Sequence, residues 1–154
     1  MELEQYLSRD RVLILPDCQD RDELLATLAS VAADALPAHQ PEELLERLQA
    51  RERSAPTATH EGVAFPHVLA EDIDRTVVVI ARVPKGIRFG GPDRVPCDLV
   101  FCMFGDARQP WIHVRLLAHM ARLVHTEESR QRLRDAGTSE ELLEAILSGA
   151  RGHG

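Results

Sequence analysis

No apolar run in this 154-residue sequence approaches the length of about 20 residues that a bilayer-spanning helix needs, so direct membrane insertion is not expected. Positive charge is also scarce: 18 Lys and Arg stand against 25 Asp and Glu, the net charge is −7, and the arginines are scattered among acids. Nucleic-acid binding draws on a basic stripe that displaces phosphate counterions, and none is visible here, so no nucleic-acid partner is expected. Cysteines number three, at positions 18, 97 and 102, with no C-x-x-C spacing. Cys97 and Cys102 stand among apolar residues, which reads as small buried hydrophobes in a reducing, cytoplasmic setting. The start, Met1-Glu2-Leu3-Glu4-Gln5, is acidic and lacks the basic-then-apolar pattern of a signal peptide. There is no H-E-x-x-H and no cysteine pair to complete a zinc site, and neither a metal nor an organic cofactor is expected. Repeats, low-complexity blocks and linkers are missing too. What is present, 44% apolar and 28% charged residues, is a soluble globular composition. One domain over residues 1–150 is expected, followed by a frayed tail at 151–154.

Arg11 to Leu15 is a short apolar run closed by Pro16-Asp17 and predicts a strand. Asp20 with Glu23 three residues on resembles a capping box, and Leu24, Leu25, Leu28, Val31 and Ala35 then recur at helical spacing until Leu36-Pro37. Pro41 suits a first helical position, and Leu44, Leu45 and Leu48 give a second helix one apolar face, fading near Arg51-Glu52. A polar loop from Ser54 to Glu61 leads into Gly62-Val63-Ala64-Phe65-Pro66-His67. Thr76 to Val83 predicts a strand covered on both faces, Pro84-Lys85-Gly86 a turn, Ile87 to Pro96 an irregular excursion, and Leu99 to Phe104 another buried strand. Pro110 opens a helix whose Ile112, Leu116, Leu117, Met120, Leu123 and Val124 share one face. Thr126 caps a short helix ending around Gly137, and Thr138 with Glu141 opens the last, which carries Leu142, Leu143, Ile146 and Leu147 and closes at Gly149. Strand, two helices, about three strands and three helices predict an α/β domain with helices on both faces of one sheet.

The run ending in Pro66-His67 is the most informative feature. Proline removes a backbone donor and fixes its φ at about −65°, so strand pairing is expected to stop there and His67 to begin a rigidly aimed loop. Neutral imidazole offers a ring nitrogen as nucleophile. A lone Pro-His is usually a satisfied loop histidine, but a second histidine downstream changes the balance. His113 lies in the first turn of the Pro110 helix, on the stripe of Leu116, Leu117 and Met120, and so points inward. It is either a buried, hydrogen-bonded histidine or a member of a site, and the helix N-terminus beside it favours an anion. His119 and His125 cannot share its face; His119 falls with Arg115 and Arg122 on the charged side. Arg51 ends the second helix, where a cation facing the helix dipole is a sufficient explanation and a guanidinium meeting phosphoryl oxygens is the functional one.

Arg51-Glu52, Thr57, Gly62 to His67, Pro96-Cys97-Asp98-Leu99-Val100 and His113 to Leu123 resemble, in order and spacing, the type-2 enzyme IIA domain of the bacterial phosphotransferase system. This is the mannitol/fructose class, which includes nitrogen-regulatory IIA proteins, and the similarity runs from about Leu3 to Leu147. The resemblance implies a three-layer α/β/α sandwich with a mixed sheet. It implies that His67 takes a phosphoryl group, on Nε2, from a small histidine-phosphorylated (HPr-like) carrier protein. His113 matches a second active-site histidine, and Arg51 an arginine facing the phosphoryl group. The chain departs from the family at Pro56-Thr57-Ala58-Thr59-His60, where a glycine-rich loop is usual, and at Val68, where a small residue is common and access is expected to narrow.

His67 must then be neutral, with its other ring nitrogen donating to a fixed acceptor that the sequence does not identify. Within these residues there is no IIB or permease sequence, and the expected output is regulatory, with partner proteins reading the phosphorylated state. The alternatives are a sugar-specific role that passes phosphate to a IIB protein, and a binding module that keeps the fold without accepting phosphate.

Overall fold

The computed structural model describes residues 3–90 and 95–153. Five strands form one mixed sheet: β1 (Val12–Ile14), β2 (Val63–Ala64), β3 (His67–Ala70), β4 (Val77–Ile87) and β5 (Cys97–Asp106). β1 runs parallel to β4, β4 antiparallel to β5, and β2 and β3 lie in succession along the other edge of β5, both parallel to it. Five helices cover the sheet: α1 (Arg21–Ala35), α2 (Pro41–Ser54), α3 (Pro110–Leu123), α4 (Glu127–Arg134) and α5 (Ser139–His153).

Side-chain alternation divides the core into two layers. Val77, Val79, Ala81 and Val83 of β4, with Val100, Cys102 and Phe104 of β5, pack against Leu24, Leu25, Leu28, Leu44 and Leu48 of α1 and α2. The intervening Val78, Ile80, Leu99, Phe101 and Met103 pack against Leu116 and Met120 of α3, Leu133 of α4, and Leu142 and Ile146 of α5. Both faces of β4 and β5 are therefore dry, as their unbroken apolar runs imply. The expected three-layer α/β/α sandwich is the observed one. Cys18, Cys97 and Cys102 are buried and free, and burial pushes the Cys97 thiol up to about 11.

Helix starts follow the capping signals. Asp20 accepts the Glu23 N–H at 2.8 Å, Thr126 the Ser129 N–H at 3.0 Å, and Thr138 the Glu141 N–H at 3.1 Å, while Glu141 reaches back to the Gly137 N–H at 2.9 Å. Three expectations need correction. Pro84-Lys85-Gly86 is not a turn: β4 continues to Ile87 through a register irregularity between Arg82 and Ile87, where a proline without a donor and Gly86 at φ 74° are accommodated. Gly149 does not close the last helix, which runs on to His153; a Cβ there would lie 3.0 Å from Leu123 Cδ2, so the glycine permits close packing of α5 on α3. Of the excursion from Ile87 to Pro96, residues 91–94 lie outside the described residues, and Ile87 belongs to β4.

One polar cluster, built around a buried histidine, fixes α2 against the turn after β3. His39 is only 8% exposed, with Nδ1 2.7 Å from a Glu43 carboxylate oxygen and Nε2 2.9 Å from the Asp72 carbonyl. Both neighbours are acceptors only, so both ring nitrogens must donate and the ring is an imidazolium. The Glu43 hydrogen bond raises the His39 pKa above its ordinary value, outweighing burial, which acts the other way. Arg47 donates two bonds of 2.7 Å to the Asp72 carboxylate, holding it down at about 2, and lies 3.0 Å from Glu43.

Because the folded pKa of His39 is raised, its contribution to stability is fully present below the unfolded value of about 6.5 and is lost as pH climbs through the higher folded value. His39→Gln is therefore expected to be less stable than the native chain at about pH 6, with the gap narrowing by about pH 8.5. Urea unfolding at both pH values measures that gap, and a gap that widens with pH contradicts the charged-ring assignment.

Candidate active site

β2 and β3 are one edge strand interrupted at Phe65-Pro66. The expectation that His67 would begin a loop is corrected: it is the first residue of β3 and pairs with Met103. The proline lacks only its donor. Its carbonyl still accepts the Met103 N–H at 3.0 Å, so the ladder resumes one residue later. At the break, the Phe65 N–H donates to the Thr57 carbonyl at 3.3 Å and the Phe65 carbonyl lies 3.0 Å from Nδ1 of His67.

That contact fixes one proton of the ring: a carbonyl can only accept, so Nδ1 carries a hydrogen. Arg51 reaches the same ring from the last turn of α2: its Nε lies 3.2 Å from His67 Nε2, and its Nη1 donates to the Ala55 carbonyl at 2.8 Å. A guanidinium has no acceptor, so Nε2 must keep its lone pair, and the two contacts together select the neutral Nδ1–H tautomer.

His113, at the start of α3, brings its ring centroid to 4.9 Å from that of His67 at a tilt of 58°. It is half-buried, as the helical stripe predicts, and its Nδ1 is buried without a hydrogen-bond partner. Burial first, then the neighbouring His67 and Arg51, pushes its pKa below the ordinary histidine value, so the ring is neutral at neutral pH. Arg51, His67 and His113 thus come together from α2, β3 and α3. An open cleft of about 500 Å³ runs along His67, lined by Arg47, Arg51, Val68, Leu69, Ala70 and Asp72. Val68 forms part of its wall while being only 6% exposed and packed into the core beneath α1 and α2.

The segment 56–60 lies beside the site as a pinned hairpin arm. Ala58 bridges Ala64, and the Thr59 N–H and hydroxyl both reach the Val63 carbonyl, at 2.8 and 2.9 Å. His60 is exposed at the hairpin tip and is not among the residues lining the cleft. The arm is anchored by Glu52, 3% exposed, whose carboxylate accepts the Thr57 N–H at 3.3 Å and a short bond from the Thr57 hydroxyl. At the tip, Gly62 has φ 79°, and a Cβ there would meet the Pro96 carbonyl at 3.1 Å and Arg134 Nη2 at 3.2 Å. A side chain at that position is excluded by conformation and by space alike.

The Glu52 anchor and the Phe65 carbonyl are the two components the sequence reading did not assign. The Arg-Glu pair marked the first, but nothing in a sequence says which backbone carbonyl a ring will meet. His119 lies on the outer side of α3 with Nδ1 3.3 Å from Arg122 Nη2. Three side chains able to ligate a metal converge at His39, Glu43 and Asp72. There both ring nitrogens already face acceptors and Arg47 neutralises both carboxylates, so a hydrogen-bonded ion network accounts for the cluster. Among the described residues no helix is long and apolar enough to cross a membrane.

A sheet with α1 and α2 on one face and α3, α4 and α5 on the other, with two rings and a guanidinium at its edge, defines an α/β/α domain of the enzyme IIA type. Residues 5–149 match the family described as phosphoenolpyruvate-dependent sugar phosphotransferase system, EIIA 2, and the chain belongs to that family. A nitrogen regulatory protein of Escherichia coli (strain K12) is 30% identical over 147 residues, covering 95% of this chain and 90% of that protein. The crystal structure of nitrogen regulatory protein IIA-Ntr from Neisseria meningitidis superposes with a TM-score of 0.85 at 20% identity, covering 92% of this chain and 97% of that one. The mannitol enzyme IIA of Escherichia coli, solved in complex with phosphorylated mannitol enzyme IIB, shares the fold with a TM-score of 0.74 at 20% identity, over 92% of this chain and 97% of that one.

Glu52→Ala leaves the Thr57 donors without their buried acceptor, and a loss of about 1–3 kcal/mol in urea unfolding is expected. The ring ¹⁵N signals of His67 should shift from a single Nδ1–H form towards a tautomer mixture. An unchanged ¹⁵N pattern in that variant would show that the Phe65 carbonyl holds its place without the anchor.

Proposed function

We propose that this protein is a histidine phosphocarrier: His67 accepts a phosphoryl group on Nε2 from a histidine-phosphorylated (HPr-like) carrier protein, and the phosphorylated state has a regulatory output. The observation that carries the reading is the Nδ1–H bond from His67 to the Phe65 carbonyl. With the Arg51 Nε donor 3.2 Å from Nε2, it commits the ring to one neutral tautomer whose lone pair faces Arg51, in a ring whose centroid lies 4.9 Å from that of His113.

In the transfer, the bond from phosphorus to the donor's ring nitrogen breaks as the bond to His67 Nε2 forms. The donor ring leaves with the electron pair, and the proton on His67 Nδ1 stays where it is. Phosphoryl transfer asks little covalent chemistry of the protein beyond a placed nucleophile and compensation of charge on three oxygens. Arg51 occupies the lone pair at rest and moves its donor from Nε2 to a phosphoryl oxygen as phosphorus arrives. Its bond to the Ala55 carbonyl keeps the guanidinium close throughout. With Nδ1 buried, His113 has Nε2 to offer as a neutral donor to a second oxygen.

The regulatory output is supported by the 30% identity, over almost the whole chain, to a nitrogen regulatory protein. A sugar-specific role has support in the shared fold with a mannitol enzyme IIA solved with its phosphorylated IIB protein. Transfer from His67 to a purified IIB protein separates the two. A module that no longer accepts phosphate would have no use for Arg51 against Nε2 of a tautomer-locked His67 with the ring of His113 beside it.

Incubation with phosphorylated carrier protein followed by intact-mass measurement is expected to show one acid-labile phosphate on the native chain and none on His67→Ala. Arg51→Ala and His113→Ala should still be labelled, with transfer slower by about 10²–10³-fold, as for loss of one transition-state donor. A labelled His67→Ala chain would defeat the assignment.

A further inference from the structure

Helix α3 carries a second apolar stripe on the side turned away from the core. Trp111 (58% exposed) and Val114 (65% exposed) begin it, and Ala118 and Ala121, also exposed, continue it along the helix. Steps of three, four and three residues are the spacing by which one helix presents a seam to another in a coiled coil. The buried stripe of Leu116, Met120 and Leu123 lies opposite: at about 100° per residue the two stripes are centred roughly 170° apart. His113 stands about 120° around the helix from the centre of the outer seam, so the seam is separate from the histidine pair. Among the described residues, the inner stripe of α3 is covered and the outer one is not.

The flank of this seam has one sign of charge. Arg115 and Arg122 each follow a seam residue by one position, which places both on the same side of it, and both are exposed. With Ala118 and His119 they line a shallow hollow of about 300 Å³. From residue 107 to residue 126 there is no Asp or Glu, in a chain with 25 acids and a net charge of −7. Two copies of this helix laid face to face would therefore bring no carboxylate to either arginine, and the flank does not select a second copy. A lipid surface fits poorly as well. Two arginines gain only about 1 kcal/mol each near anionic headgroups, against a net-acidic chain, and Ala118 and Ala121 have little bulk to insert.

We propose that the outer seam of α3 docks an amphipathic helix of another protein, one with large aliphatic side chains on its apolar stripe and carboxylates along its flank. The two alanines leave room for the partner's apolar knobs, and Trp111 closes the end of the seam with the largest apolar surface on it. Carboxylates opposite Arg115 and Arg122 supply the pairing that α3 cannot give itself, and they fix which way the partner helix runs. Trp and Arg are the residues that most often dominate binding energy where a patch is dewatered. The inference goes beyond the proposed function: nothing in it needs His67 to carry phosphate, so each stands or falls by its own test.

Trp111 is the single tryptophan of the chain, so its fluorescence reports on the seam directly. The probe is a synthetic three-heptad helix with Leu at its seam positions and Glu on both flanks, compared with the same helix carrying Lys on both flanks. The Glu-flanked helix is expected to shift Trp111 emission to the blue in a saturable way. It should also move the amide NMR signals of Arg115, Ala118 and Arg122 while those of β3 stay in place. Ala118→Glu and Arg115→Glu should each weaken that binding roughly 10-fold, and added salt should weaken it in the native chain. The Lys-flanked helix should leave the emission unchanged. No shift with the Glu-flanked helix, or equal binding of the two helices, overturns the inference. So does a blue shift that grows with protein concentration alone, which assigns the seam to a second copy. A shift with phosphatidylglycerol vesicles and none with the Glu-flanked helix assigns it to a lipid surface and overturns the inference too.

Discussion

The site depends on one hydrogen bond, from His67 Nδ1 to the Phe65 carbonyl two residues upstream. The bond exists because Pro66 interrupts the edge strand: a continuous strand would direct that carbonyl outward along the sheet, away from a ring on its own chain. The interruption is confined to a single step. β2 pairs with Leu99 and Val100, and β3 resumes at Met103, so the ring is held from both sides of the break by one continuous partner strand. An imidazole set this way has one tautomer, one orientation and one available lone pair.

α2 governs the surroundings of that ring through consecutive residues. Arg51 touches Nε2 directly. Glu52, pointing into the core, holds Thr57, whose carbonyl accepts the Phe65 N–H; the Phe65 carbonyl in turn accepts the hydrogen bond from His67 Nδ1–H. Successive residues on a helix diverge by about 100°, so one can face the cleft while the next faces the core. Farther up the helix, Arg47 and Glu43 tie α2 to the turn after β3 through Asp72 and His39. The helix is thereby fixed to both ends of the strand whose first residue is the candidate nucleophile.

Most of the architecture was legible because its signals are local. The capping boxes at Asp20 and Thr138, the prolines opening α2 and α3, and the all-apolar runs of β4 and β5 act over a few residues, and each appears where its chemistry requires. The misreadings arose where tertiary pairing overrode local chemistry. Pro66 locally predicts a stop, yet β5 offers the Met103 N–H to its carbonyl; Pro84-Lys85-Gly86 locally predicts a turn, yet β5 pairs on both sides of the irregularity. Gly149 locally predicts an end, yet α5 runs on past it, and Leu123 of α3 and Arg132 of α4 occupy the space a side chain would fill. Arg51, His67 and His113 were identified as site residues from order and spacing, and they do converge. The acceptor for Nδ1 was not legible, because a backbone carbonyl has no residue identity to read.

His39, His67 and His113 show how one side-chain chemistry is set to different states by neighbours alone. Around His39 both nitrogens face oxygens that can only accept, and the result is a cation even though the ring is almost fully buried. Around His67 one nitrogen meets an acceptor and the other a donor, which admits only the neutral ring. His113 has no partner at Nδ1 and two basic neighbours, so burial and like charge act together against protonation. The division suits the proposed transfer. A charged His67 would have no lone pair to give, and a charged His113 beside Arg51 would draw the phosphoryl oxygens too firmly for the group to be passed on. Permanent positive charge in the cleft is thereby left to the guanidiniums of Arg51 and Arg47. Arg47 is already committed to carboxylates, which leaves Arg51 as the cation able to follow a phosphoryl group in and release it.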